Sequence, residues 1–157
     1  MMRSVALETP GIQYAALPWR RVNGEVQILL VTTLNTRRWI VPKGWPIPGL
    51  SPCDCAAHEA AEEAGVSGDM QSKPLGAFHY EKRRKAGDTL PCKVEVFAME
   101  VHRQRRSWPE KSLRQTCWCS AEEALTLVNE PGLRRLIARF AKSARAEQRT
   151  PEAAPLA

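Results

Sequence analysis

Glu59, Glu62 and Glu63 stand at i, i+3 and i+4 in the stretch HEAAEEAGV, so on a helix their carboxylates converge on one face. Like charges at this spacing repel by roughly 0.2–0.5 kcal/mol per pair. Their place near the helix end adds to the penalty, because a last turn favours cations. No Lys or Arg lies between Ser51 and Gly65, and His58 is the one other residue there that can carry positive charge. A solvated acidic face or a hard-cation site would each account for the cluster. The rest of the helix is small and apolar, with Ala56, Ala57, Ala60, Ala61 and Ala64, which suits close packing and favours the cation. Carboxylate oxygens would then hold Mg²⁺ or Mn²⁺, with substrate phosphates completing the shell. Just upstream, Gly44 lets the backbone approach a cation and offers its carbonyl, and Lys43 can meet a phosphate as a point charge. The plainer readings are a turn glycine and a solvated lysine.

The elements that must position these groups are legible in outline. Two apolar runs within residues 12–33 flank Asn23-Gly24, a strong hairpin signal. RRWIVP reads as a short strand ending at Pro42, and KGWPIPGLSP, punctuated by Gly and Pro, as irregular. Ser51 is an N-cap with Pro52 at the first helical position and Asp54 at the capping-box position. That helix is expected to run to about Ala64, with Gly65 as its left-handed terminus. KPLGAFHYEK and CKVEVFAMEV read as strands joined by a basic loop at Arg83–Asp88. TCWCS is a further short strand, and Ser120 opens a helix through about Val128. Pro131 starts the last helix, on which Leu133, Leu136, Ile137 and Phe140 recur at helical spacing. From Gln148 the tail is expected to be disordered. No internal repeat is visible, so the chain reads as one α/β domain over residues 12–147, after an N-terminal extension of residues 1–11.

Composition sets bounds on partners. The 157 residues are 43% hydrophobic and 25% charged, as in a soluble domain. No apolar run is long enough for a membrane span, and the N-terminus lacks the pattern of a secretory signal. A net charge of +6 and a pI near 9.3 favour anionic partners. Five cysteines, an odd number, fit a reduced, cytoplasmic protein. Cys53-x-Cys55 and Cys117-x-Cys119 are spaced too tightly for usual zinc ligand pairs and read as small buried thiols.

From Gly44 to Val66 the chain resembles the Nudix box, G-x5-E-x7-R-E-U-x-E-E-x-G-U, with spacing kept over all 23 positions. RWIVPKG before the box, then GAFHYEKRR, VFAMEV and SWPEKSLRQTCWCSAEEA after it, are similar to diphosphoinositol polyphosphate phosphohydrolases and their bacterial relatives. The resemblance covers roughly residues 12–142. It implies a Nudix fold, an α/β/α sandwich with a mixed central sheet, and hydrolysis of a phosphoanhydride. Carried over by position, Glu59 and Glu63 ligate Mg²⁺, and Glu62 is a ligand or the general base that takes a proton from water. Two positions depart from the box: its early Glu is Leu50 and its Arg is His58. In the family that Arg is thought to orient carboxylates, so looser positioning and a lower rate, or a greater need for Mn²⁺, are expected. Losing both members together strands neither charge. Leu50 is expected to pack on apolar neighbours. His58, four residues before Glu62, either contacts it or is simply exposed.

Substrate phosphates need further cations. Arg20, Arg21, Arg38, Lys43, Lys82, Arg83, Arg84 and Lys85 are the candidates, although a mobile basic loop explains the last four nearly as well. Trp45 could stack a base or cover the site. Trp39 and Trp118 read as core, and Glu110 as an additional carboxylate or an ordinary loop residue.

The expected function is metal-dependent hydrolysis of a polyphosphorylated small molecule, with diphosphoinositol or dinucleoside polyphosphates favoured, by a monomer or homodimer. Alternatives are a general nucleotide-pyrophosphate or RNA 5′-pyrophosphate hydrolase, or a weakened nucleotide sensor. Beyond an RNA 5′ end, nucleic-acid binding is disfavoured, because the basic runs carry no recognisable aromatic signature.

Overall fold

The Asn23-Gly24 pair closes a two-residue hairpin between β1 (Gly11–Val22) and β2 (Glu25–Thr32), with Val22 opposite Glu25. The computed structural model describes residues 10–149. The segment after the hairpin passes from one hairpin strand to the other. In it, β3 (Trp39–Ile40) pairs with β2, and β4 (Lys43–Gly44) pairs with β1, Tyr14 lying opposite Gly44. The expectation that regular structure stops at Pro42 is therefore corrected. Proline cannot donate to a ladder, but the Pro42 carbonyl accepts from the Ala16 N–H at 3.0 Å. That bond ties the chain to β1, so pairing resumes.

Helix α1 (Pro52–Ala64) has the expected termini. The Ser51 hydroxyl accepts from the Asp54 N–H, and Gly65 takes the left-handed conformation at φ 68°. The next strand, β5 (Val66–Met70), was not foreseen, since Gly68 and Asp69 are poor strand formers. It forms because β6 (Gly76–Arg83) covers only the first half of the 16-residue β7 (Thr89–Gln104), leaving the second half to β5. Along its other edge β7 runs parallel to β1, from Gly11 beside Cys92 to Trp19 beside Glu100. Because every other ladder between the described strands is antiparallel, the sheet is mixed. β8 (Thr116–Ser120) adds to β2. A full capping box between Ser120 and Glu123 opens α2 (Ala121–Leu127), and α3 (Pro131–Arg149) completes the described chain.

Helix α1 lies on β1, β4, β5 and β7, while α2 lies on β2 and β8 and α3 on β6. The result is the expected α/β architecture, a mixed, open sheet flanked by helices. The edges of the domain move slightly. Gly11 belongs to β1 and not to an extension, and α3 continues through Gln148 and Arg149, where disorder was expected. Residues 1–9 and 150–157, which carry the rest of both expectations, lie outside the described residues. No helix among the described residues is long and apolar enough to cross a membrane.

The alanines of α1 explain how closely it sits. Ala56, Ala60 and Ala64 recur every fourth residue and are each 0% exposed, so the helix backbone approaches the sheet. A larger side chain has nowhere to go. Ala60→Leu is expected to lower stability by about 1–3 kcal/mol through overpacking, read as a shift in the urea midpoint at unchanged m-value.

Candidate active site

The last turns of α1 face β4. Glu63 is only 2% exposed. Its Oε2 accepts from the Lys43 backbone N–H at 3.1 Å, and its Oε1 lies 3.3 Å from Arg114 Nη1. Glu59, half-buried, presses its carboxylate against Gly44, where any Cβ would overlap the Glu59 carboxylate carbon and oxygen. Only glycine allows that approach. The charge of Glu59 acts against that of Glu63, one helical turn away, and two carboxyls coupled in this way do not readily ionise together.

Burial drives the electrostatics. Desolvation pushes the Glu63 carboxyl up to about 8, outweighing the opposing pull of Arg114, and Glu59's charge adds to the rise. Desolvation likewise raises Glu59 above the ordinary carboxylate range. Glu62 stays partly exposed, and its backbone carbonyl accepts from the Glu110 N–H at 3.0 Å.

Nudix hydrolases generally need a divalent cation. Among the described residues no three His, Cys, Asp or Glu side chains stand close enough together to hold a metal ion by themselves. The residues nonetheless fit one. Their donors are hard oxygens, the Gly44 backbone meets the Glu59 carboxylate, and a cation can take the place of the proton that burial keeps on Glu63.

Beside the carboxylates stands a cationic surface. The Lys43 Nζ donates to the Tyr80 hydroxyl at 2.9 Å, and that hydroxyl donates to Gln13 Oε1 at 2.6 Å. Desolvation, then the neighbouring charge of Lys82, lowers the Lys43 ammonium to about 8. Tyr80 and Lys82 share a face of β6, as alternate residues must, and Lys82 Nζ lies 6.0 Å from the Trp45 ring centre. Trp45 itself is 42% exposed.

The other predicted cations are placed differently. Arg83 alternates to the opposite face of β6, Lys85 is exposed in the turn beyond it, and Arg84 pairs with Asp88 at 3.1 Å. Arg38 is ion-paired with Glu130, a buried carboxylate whose second oxygen finds no protein partner. Arg20 stacks on Trp118, and Arg21 bonds the Ala144 carbonyl on α3. Leu50 does not pack inward as expected; it is 42% exposed, because the turn before α1 faces solvent. His58 is exposed, and its charge acts on Glu59. Cys55, Cys92 and Cys119 are buried free thiols, while Cys53 and Cys117 are half-buried.

Of the loop before β8 the sequence reading singled out Glu110, but not what Trp108 and Arg114 do. The Trp108 indole packs on Gly65 and donates to the Glu63 carbonyl at 3.1 Å, clamping the end of α1. Glu110 comes beside the cluster, its charge raising Glu59 and Glu63. Arg114 joins it, 3.1 Å from Glu110 Oε1. Only the helix's own lack of a cation hinted that one must come from elsewhere.

The raised carboxyl gives a signed pH dependence. Below about 4.5 Glu63 is neutral in both states, and between there and about 8 it is neutral only when folded. The unfolded chain then binds fewer protons, so stability falls as pH rises through that window. Urea unfolding in chelator is expected to follow this slope, and Glu63→Gln to flatten it. An unchanged slope in the variant would contradict the assignment.

The NUDIX domain family model matches residues 13–140. Nudix hydrolase 12, mitochondrial, of Arabidopsis thaliana is 28% identical over 128 residues, covering 80% of this chain and 63% of that protein. Diphosphoinositol polyphosphate phosphohydrolase 3-alpha of Mus musculus is 31% identical over 111 residues, 69% of this chain and 63% of that protein. The chain thus spans under two thirds of the length of these curated relatives. A C. elegans Ap4A hydrolase in a binary complex shares the fold, with a TM-score of 0.64 at 18% identity, covering 87% of this chain and 98% of that one. From its first strand to its last helix, the chain belongs to the Nudix family.

Proposed function

We propose that this chain hydrolyses phosphoanhydride bonds in a polyphosphorylated small molecule with the help of Mg²⁺ or Mn²⁺, and that a dinucleoside polyphosphate is the class its site fits best. One observation carries the choice: the exposed Trp45 ring lies 6.0 Å from Lys82 Nζ, and Lys82 and Glu63 both act on the charge of Lys43. An aromatic face takes a base, two ammonium groups take a short phosphate chain, and the carboxylates meet the bond to be cut. A diphosphoinositol polyphosphate carries more phosphates than these two lysines serve. Arg38, already neutralised by Glu130, does not add to them.

Glu59, Glu63 and the Gly44 backbone oxygen would hold the cation, with Glu62 beside them. A bound divalent cation neutralises charge on the phosphate oxygens. Glu62, partly exposed and beside the buried Glu63, accepts a proton from the attacking water. Lys43 and Lys82 hold the phosphates, and an arriving anion offsets the repulsion between the two ammonium groups. Arabidopsis, mouse and C. elegans relatives whose names describe Nudix, diphosphoinositol polyphosphate and Ap4A hydrolysis support the reaction class.

The test is phosphate-release turnover across dinucleoside polyphosphates, a diphosphoinositol polyphosphate, ADP-ribose, NTPs and 5′-triphosphate RNA, with Mg²⁺ or Mn²⁺. The expected result is metal-dependent turnover, highest on a dinucleoside polyphosphate and lowered at least about 10²-fold by Glu62→Gln. Trp45→Ala should raise KM for nucleotides alone. Binding without turnover anywhere would make the chain a sensor.

A further inference from the structure

Helix α1 carries three carboxylates and no basic residue in its last turn, and the box positions that depart from the family pattern, Leu50 and His58, are both exposed. Something else must fix where Glu63 points. Arg114 is the group in place to do so. Its side chain is only 13% exposed, and each of its three nitrogens is committed. Nη1 lies 3.3 Å from Glu63 Oε1 and donates to the Thr32 carbonyl at 2.9 Å; Nη2 and Nε both donate to Glu110 Oε1, at 3.1 and 3.3 Å.

We propose that Arg114 is a positioning residue that aligns Glu63 and Glu110 from outside the helix, doing from the loop before β8 what no cation on α1 can do. The geometry gives it the means. Glu63 is held from two directions, Oε1 by Arg114 and Oε2 by the Lys43 N–H, so its plane toward Glu59 is set. A guanidinium fork is rigid and keeps its charge, and so fixes direction where an ammonium would not. The fork is itself anchored. Beside the Arg114 bond to Thr32, the Gln115 N–H donates to Thr32 Oγ1 at 3.0 Å, and the Thr32 N–H donates to the Gln115 carbonyl at 3.1 Å. At the other end of the loop, Trp108 and the Glu110 N–H are docked on the Glu63 and Glu62 carbonyls. Loop and helix end form one unit, in which Arg114 joins β2, Glu110 and Glu63.

The sign of the effect on metal affinity separates positioning from simple charge. A cation beside a cation site repels the incoming metal, so removing a mere charge tightens binding. Removing a positioning group loosens it, typically 10–100-fold for groups that orient ligands. The proposal rests on reading the carboxylates as a cation site and not on the identity of the substrate. Its test is therefore Mn²⁺ titration of the full chain without substrate, followed by calorimetry, for wild type, Arg114→Gln and Arg114→Lys. Arg114→Gln is expected to weaken Mn²⁺ about tenfold, with Arg114→Lys lying between it and wild type. Where turnover is measurable, kcat falls and KM stays nearly constant, because Arg114 touches carboxylates and not substrate. If Arg114→Gln does not fold, Arg114→Lys alone decides. Unchanged or tighter Mn²⁺ binding in either variant overturns the proposal, as does a rise in KM at constant kcat. A wild type that takes up no Mn²⁺ overturns both this and the hydrolase reading, whereas Mn²⁺ uptake that depends on Arg114 without turnover counts against the hydrolase reading alone.

Discussion

A buried glutamate, Glu63, with a half-buried one a helical turn before it at the negative end of a helix, sets the terms for the rest of this structure. Water does not solvate Glu63, the helix dipole opposes its charge, and Glu59 repels it. Such a pair persists only with a proton or a cation to offset its charge and with donors on its remaining oxygens. The surrounding chain supplies those donors. The Lys43 N–H meets one Glu63 oxygen and Arg114 the other, while Gly44 withholds a side chain so that Glu59 can close in.

The sheet explains why these groups meet. β4 is two residues long, and only its pairing with β1, extended by the bond from Ala16 to the Pro42 carbonyl, fixes Lys43 and Gly44 beside α1. The alanine face of α1 closes the remaining distance. On the other side, β7 is long enough to hold β6 beside its first half, which carries Tyr80 and Lys82 to Lys43. Past the end of β7 the loop returns to α1, where Trp108 covers Gly65 and Arg114 reaches Glu63. Glu63 of α1, Lys43 of β4 and Lys82 of β6 come from separate elements and are brought into one neighbourhood by backbone pairing.

Much of this was legible in the chain and some was not, for definite physical reasons. Local signals read true: the Asn23-Gly24 turn, the Ser51 cap and the left-handed Gly65 each depend on neighbours in sequence. β5 escaped because its residues are poor strand formers, and it exists only because β7 overhangs β6. Arg38 and Glu130 pair across 92 residues, and nothing in the Arg37-Arg38 run foretells that one member is neutralised. Arg114 is one of 23 basic residues, and no spacing marks it, since its partners come from β2, α1 and its own loop. Lys82 and Arg83 are adjacent and equally basic, yet strand alternation sends one toward Lys43 and the other away. Composition pointed to anionic partners; only the register says which cation lies beside Lys43.

The central claim is that burial keeps a proton on Glu63 near neutral pH, which a divalent cation displaces. Mn²⁺ binding measured calorimetrically at neutral pH, in buffers of different ionisation enthalpy, counts the protons released. The account predicts release of about one proton per cation bound, lost in Glu63→Gln. Tight Mn²⁺ binding with no proton release would contradict it, because Glu63 would then already be ionised in the folded protein.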